Sequence, residues 1–267
     1  MRLLAALRCQ CSGSVRSVVA IIAKGLCFGL LAASFTPHQA AAADDVAPLS
    51  NLSRPLSARE GTALSTIETR PVVVVAHRPK RANFERERAS HEARRVADWV
   101  VDSGDNRSMP FVIVDKTDAK VFVFHADGRL RGAAPALLGM ARGDDSVPGI
   151  GDRKISHIRR EKRTTSAGRF VAALDRNLRG EDILWVDYDA AISLHRVHTN
   201  KSKERRLQRL ATPTPLDNRI SYGCINVPAK FYENVVRPAF TGTNGIAYVL
   251  PETRLAREVF ASYYDVE

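Results

Sequence analysis

Cysteine is scarce in this chain: four occur in 267 residues, at positions 9, 11, 27 and 224. Three of them precede residue 43, and none of those has the small-residue lead-in of a lipidated cysteine. If that leader is removed, Cys224 alone remains, and the fold has to rest on its core and not on disulfides within the domain. Aromatic residues are few, at 7%. Uninterrupted apolar runs of about 18 residues, long enough to cross a bilayer, are missing. So are the motifs S-x-x-K and G-x-S-x-G, which argues against a serine acyl-enzyme.

What the chain does have begins with a basic leader. Arg2, Arg8, Arg16 and Lys24 are followed by the short apolar stretch from Gly25 to Phe35 and then by "TPHQAAAADD". A basic start, a short apolar run and an alanine-rich exit define a signal peptide over residues 1–43, cut after Ala43. The competing reading is an uncleaved anchor over Ser17 to Ala33, which would hold Lys24 mid-membrane at about 2.5–3.5 kcal/mol. Either way the rest of the chain is expected outside the cytoplasm, in the periplasm or cell envelope, because the positive flank stays in. The leader takes four of the 40 basic residues and none of the 29 acidic ones, leaving a balance of +7. In that location nucleic acid is not the expected partner. Anionic envelope polymers or a membrane surface fit the charge, and so does plain solubility.

Residues 44–70 are rich in Ser, Arg, Pro and Ala and read as a linker. "PVVVVAH" reads as a short strand, and "NFERERASHEARRVADWVV" as a helix ending near Gly104, so that 44–108 forms a linker and helical extension. From Met109 the texture changes. "FVIVDKTDAKVFVFHADGRLRGAAPALLG" reads strand, turn, strand, turn, strand, and a glycine-containing, basic excursion follows from Asp144 to Phe170. "DILWVDYDAAISLHRV" is strand-like, "KSKERRLQRL" a short basic helix or solvated loop, "AKFYENVVRPAF" a helix opened by Pro228, and "GIAYVL" a closing strand. The expectation is a compact, mainly β or mixed-sheet domain over 109–251, with a few short helices. A helical tail is expected over 252–267.

"RISYGCINVP", Arg219 to Pro228, sets Cys224 between a glycine and an isoleucine. A cysteine nucleophile needs a base, a group to orient that base, and donors for the oxyanion. Gly223 clears space beside the sulfur, and Ser221 adds a hydroxyl two residues earlier. "AISLHRVH" offers His195 and His198 as bases at the end of a strand. Residues two apart on a strand share a face, so Ala191, Ser193 and His195 are expected opposite Ile192 and Leu194, with His198 on the apolar side. That choice favours His195. The same odd spacing argues against a zinc pair at "HRVH". A buried, inert cysteine is the plain alternative.

"SYGCIN" followed by "VP", after a strand ending in "SLH", resembles the catalytic domain of the L,D-transpeptidases, the YkuD-type family. Ser221, Gly223, Cys224, Ile225 and Asn226 match that signature position by position. "TSAGRF", Thr165 to Phe170, resembles its Thr-Pro-x-Gly-x-Phe element with Ser166 in place of Pro. The likeness covers about 109–251. It departs at Tyr222, where the family has His, and in the 29 positions from His195 to Cys224, which make "NKSKERRLQRLATPTP" look like an insertion.

The resemblance implies a compact L,D-transpeptidase-like β-sandwich or mixed sheet without cofactor or metal. It also implies acyl transfer on peptidoglycan tetrapeptide stems. Cys224 would be the nucleophile and His195 the base, with Gly223, Tyr222 and Ser221 at the oxyanion and Asn226 and Arg219 toward the substrate. Transfer to water would make the protein an L,D-carboxypeptidase or cross-link hydrolase. A non-catalytic wall-binding module, using the basic runs Arg153 to Arg163 and Lys201 to Arg209, is the reading from a different class.

Overall fold

Two runs, "FVIVD" and "KVFVF", decide how the domain is layered. Both are apolar at nearly every position, the pattern of strands covered on both faces. In the computed structural model, which describes residues 78–267, they form β1 (Phe111–Asp115) and β2 (Lys120–Phe124). Val112, Val114, Val121 and Val123 point into one core, and Phe111, Ile113, Phe122 and Phe124 into a second. The expectations for the leader, the linker 44–70 and "PVVVVAH" lie outside the described residues. Among the described residues no helix is long and apolar enough to cross a membrane.

The remaining strands are β3 (Leu130–Pro135), β4 (Leu138–Gly139), β5 (Gly168–Arg176), β6 (Asp182–Asp187), β7 (Ile192–Arg196), β8 (Arg219–Ser221), β9 (Ile225–Val227) and β10 (Gly245–Val249). Eight of them form one mixed sheet in the order β3-β2-β1-β10-β5-β6-β7-β9, and β4 pairs with β8. The two edge strands nearly meet. Leu137, just past β3, exchanges backbone hydrogen bonds with Asn226 of β9 at 2.8 and 2.9 Å. The sheet therefore curls almost into a barrel, which removes most of the open edge. The fold is mostly β with few short helices.

The first core lies inside the curl and is filled by the helical segment after β9. That segment runs through α3 (Ala229–Phe231), a π turn (Tyr232–Val236) and α4 (Arg237–Phe240), and it buries Tyr232, Val236 and Phe240. The widened turn sits just ahead of Pro238, which has no N–H to continue the α-helical ladder.

The second core packs α1 (His91–Ser103) on the outer face of β1, β2 and β10. Ser90 caps α1, its Oγ accepting from Ala93 N at 3.0 Å and donating to Asp115 Oδ2 at 2.6 Å. Gly104, at φ +69°, ends it. The helix expected from Asn83 thus starts at His91, because the Ser90 cap fixes its first turn. Phe84 instead meets Phe122 and Phe124 edge-on, with centroids 5.4 and 5.1 Å apart.

The tail is also not the helix expected. It has one short helix, α5 (Ala256–Val259), and then turns so that Phe260 stacks on Trp99 at 5.8 Å. The backbone N–H groups of Glu252, Thr253 and Arg254 are held by the Asp144 carboxylate, which fixes the approach to that helix. α1 and the tail share this second core with β1, β2 and β10.

Asp144 is the anchor of a buried ion pair. Lys116, in the β1–β2 turn, donates from Nζ to Asp144 Oδ1 at 2.7 Å, Gly143 O at 2.6 Å and Thr165 O at 3.1 Å. Both side chains are essentially inaccessible. Burial alone would raise the Asp144 pKa, but hydrogen bonds from Lys116, Thr253 and the backbone hold it well below the usual carboxylate range. Breaking such a pair costs about 3–5 kcal/mol when one charge is stranded. The two partners are not equivalent: without Lys116, Asp144 keeps four donors, whereas without Asp144 the lysine keeps only the Gly143 and Thr165 carbonyls and loses its nearest countercharge, and three backbone N–H groups and the Thr253 hydroxyl lose their acceptor. Urea denaturation should therefore show Asp144→Ala losing about 3–5 kcal/mol and Lys116→Met clearly less. Equal losses, or the reverse order, would contradict this account of the cluster.

Candidate active site

β7 and β9 run parallel, with Leu194 opposite Ile225 and His195 opposite Asn226. In that register Leu194, Ile225 and Val227 enter the inner core. The alternate residues Ser193 and His195 of β7 share the other face with Asn226 and with Cys224, the residue just before β9. Trp185 of β6, opposite Ser193, is on that face too. The Cys224 sulfur lies 3.8 Å from both Ser193 Oγ and the Ala191 carbonyl oxygen, and Cys224 is 3% exposed.

The polar groups here fix one another. Arg206, on α2 (Arg206–Ala211), is 6% exposed and donates from Nη1 to Asn226 Oδ1 at 2.5 Å. A guanidinium has no acceptor, so the Asn226 oxygen must face it and the amide nitrogen must face the other way. That nitrogen donates to Cys224 O at 3.3 Å and meets His195 Nε2 at 3.2 Å. His195 Nε2 must therefore be the acceptor, and the proton sits on Nδ1, which donates to the Arg196 carbonyl at 2.7 Å. His195 is neutral and held in a single tautomer. Burial, and then the neighbouring His198, push its pKa down to about 4.

The loop before Cys224 is equally constrained. Gly223 has φ +133°, and a Cβ there would come within 2.9 Å of Thr164 O. Thr165 Oγ1 donates to Gly223 O at 2.8 Å and accepts from Gly139 N at 2.9 Å, stitching the excursion between β4 and β5 to the cysteine turn. Ser221 Oγ donates to Cys224 O at 2.6 Å and accepts from Gly223 N at 3.1 Å. The Gly223 N–H expected at the oxyanion is thus engaged inside the turn. Tyr222 lies under the Arg163 guanidinium at 3.8 Å.

The structure brings Cys224, His195, Ser221, Gly223 and Asn226 together and gives several of them different work from that expected. Asn226 spends its carboxamide on Arg206, His195 and Cys224, so it positions the His195 imidazole. Arg219 Nη2 donates to Lys116 O at 2.8 Å and Glu252 Oε2 at 2.5 Å, which ties it to the buried ion-pair cluster; its Nη1 is buried without a partner.

His198 was expected on the far face, but β7 stops at Arg196 and the chain turns away after Val197, so the His198 ring lies 4.9 Å from that of His195. Both rings border an open cavity of about 380 Å³ that also includes Glu181 and Arg196. Arg206 lies in a stretch read as a short basic helix or solvated loop, and it opens the helix there. Nothing in its local pattern distinguishes it from its basic neighbours, and neither that pattern nor a single Thr marks Arg206 or Thr165 as bridges.

Compared with known proteins, the chain matches no family model and no curated protein sequence.

A histidine buried in its neutral form makes stability depend on pH. The unfolded chain binds the proton near pH 6.5 and the folded one only near pH 4, so stability is complete above the first value and is lost as pH falls toward the second. The contribution is about 3 kcal/mol at most. His198, also lowered by burial, adds to the same window, whereas Asp144 acts only in more acidic solution. Denaturation midpoints should fall between pH 7 and pH 4.5, and His195→Gln should remove part of that slope. An unchanged slope in the variant would show that His195 is not buried neutral.

Proposed function

We propose that this protein is a cysteine acyltransferase of the L,D-transpeptidase kind, acting on peptidoglycan stem peptides outside the cytoplasm. The observation that supports it best is the parallel register of β7 and β9. It sets a cysteine and a neutral histidine on one face, with the histidine's tautomer chosen by Asn226 and a backbone carbonyl. A neutral imidazole with its lone pair on Nε2 is the form that accepts a thiol proton; because Nε2 accepts from Asn226 Nδ2 at 3.2 Å, the transfer includes release of that contact, and the contacts of catalytic pairs are often longer before substrate binds. The match of "SYGCIN" to the family signature supplies the substrate class.

In the proposed reaction the Cys224 thiol gives its proton to His195 Nε2. The sulfur then bonds to the carbonyl carbon of the third stem residue. The C–N bond to the terminal D-alanine breaks, and the proton on His195 passes to the departing amine. In the second half an amine attacks the thioester, the S–C bond breaks, and the amine's proton returns by way of His195 to the thiolate. Donors for the oxyanion come from the turn around Gly223 and Cys224. Because the Gly223 N–H is engaged by Ser221, attack includes a local rearrangement of that turn. One such donor is worth about 3–4 kcal/mol in the transition state.

The test is the reduced protein with purified disaccharide-tetrapeptide, with and without a D-amino acid, and with products read by mass spectrometry. Exchange at the fourth position is expected. His195→Ala should be slower by about 10²–10⁴, and Cys224→Ala should be inactive. Tripeptide as sole product at every amine concentration would identify a hydrolase on the same site. No product at all would leave the wall-binding module as the better reading.

A further inference from the structure

His195 is 4% exposed, and its Nδ1 and Nε2 already meet the Arg196 carbonyl and Asn226. The ring of His198 lies against it, 4.9 Å away and tilted by 36°. His198 differs in two respects: it borders the open cavity, and its Nε2 lies 4.0 Å from Glu181 Oε2. Asn177 holds that carboxylate in place through a 2.8 Å hydrogen bond.

We propose that His198 is a positioning residue for the site, a second imidazole that takes up a proton before His195 does and so keeps the buried base neutral in acid. This rests on the reading of His195 as the base.

The charges around the pair favour that order. Before and at the start of β6 stand Arg179, Glu181 and Asp182. On β7 is Arg196, which Asp182 and Glu233 neutralise. On α2 is Arg206, held by Glu204 and Asn226. Glu181 is the carboxylate paired with an imidazole, and it is paired with His198, so the first proton goes there. A second proton on His195 would then put two cations side by side in a half-buried space, which like-charge repulsion disfavours. The charge on His198 is the second cause, after burial, of the lowered affinity of His195 for a proton. Glu181 thus compensates the acid-side charge, and the base stays able to accept the thiol proton below the usual imidazole range.

The test has two arms on the full chain, with reductant present. Carbon-detected histidine titrations by NMR, assigned with His195→Gln, read the protonation of His195 in the parent and in His198→Gln. Acyl-transfer rates against pH read the consequence. In His198→Gln the His195 midpoint should rise by about one pH unit or more, and the acid limb of the rate profile should rise with it. His198→Asn should behave the same way, and an unchanged amide spectrum away from the site would show that both variants fold. A His195 midpoint that stays put in both variants overturns the proposal. If the midpoint rises while the acid limb stays where it was, the two rings are coupled but His195 is not the base, and the positioning role of His198 falls with that reading.

Discussion

The hydrogen bond from Arg206 to Asn226 is the constraint on which the geometry of the site depends. Arginine can only donate, so it dictates which end of the Asn226 carboxamide faces His195, and that in turn dictates which imidazole nitrogen carries the proton. The parallel pairing of β7 and β9 makes the chain of contacts possible, because it sets His195 directly opposite Asn226. Without the arginine the amide could turn, and the lone pair of His195 would no longer be specified. The imidazole is therefore prepared by two hydrogen bonds, one to the Asn226 amide of β9, which Arg206 of α2 orients, and one to the Arg196 carbonyl of β7.

A second network holds the cysteine turn against the sheet. Lys116 reaches from the β1–β2 turn to Thr165 O, and the Thr165 hydroxyl bridges Gly139 and Gly223. The same lysine grips Asp144, which gathers the backbone of residues 252–254. Thus the turn before Cys224, the long excursion after β4 and the approach to the C-terminal helix are linked through one buried ion pair. Buried charges of this kind add little net stability over a well-packed apolar core, but they penalise any arrangement that separates them.

How much of this could be read in the sequence depended on whether the signal was local. The strands β1, β2, β6, β7 and β10 appear as short apolar runs between turn residues, and "SLH" and "SYGCIN" were legible for the same reason. The start of α1 was misplaced because Asn83 to Ala89 has helical composition, while the Ser90 cap, which decides the matter, is one residue. The tail is expected to be helical, yet the Asp144 carboxylate takes the backbone N–H groups of residues 252–254 and only the short α5 forms. His198 was assigned to the wrong side because the face rule assumes that the strand continues, and β7 ends two residues too soon. Arg206 and Thr165 were invisible as bridges, since their partners lie 20 and 58 positions away.

The central claim is that Cys224 becomes acylated and that His195 makes this possible. It is tested most directly by trapping the acyl-enzyme: the reduced protein is mixed with disaccharide-tetrapeptide, quenched in acid within the first turnover, and mapped by peptide mass spectrometry. The account predicts a mass increase equal to the stem without its terminal D-alanine, on the peptide containing Cys224, accumulating more slowly in His195→Gln. An acyl group on any other residue, or turnover that persists in Cys224→Ala, would contradict it.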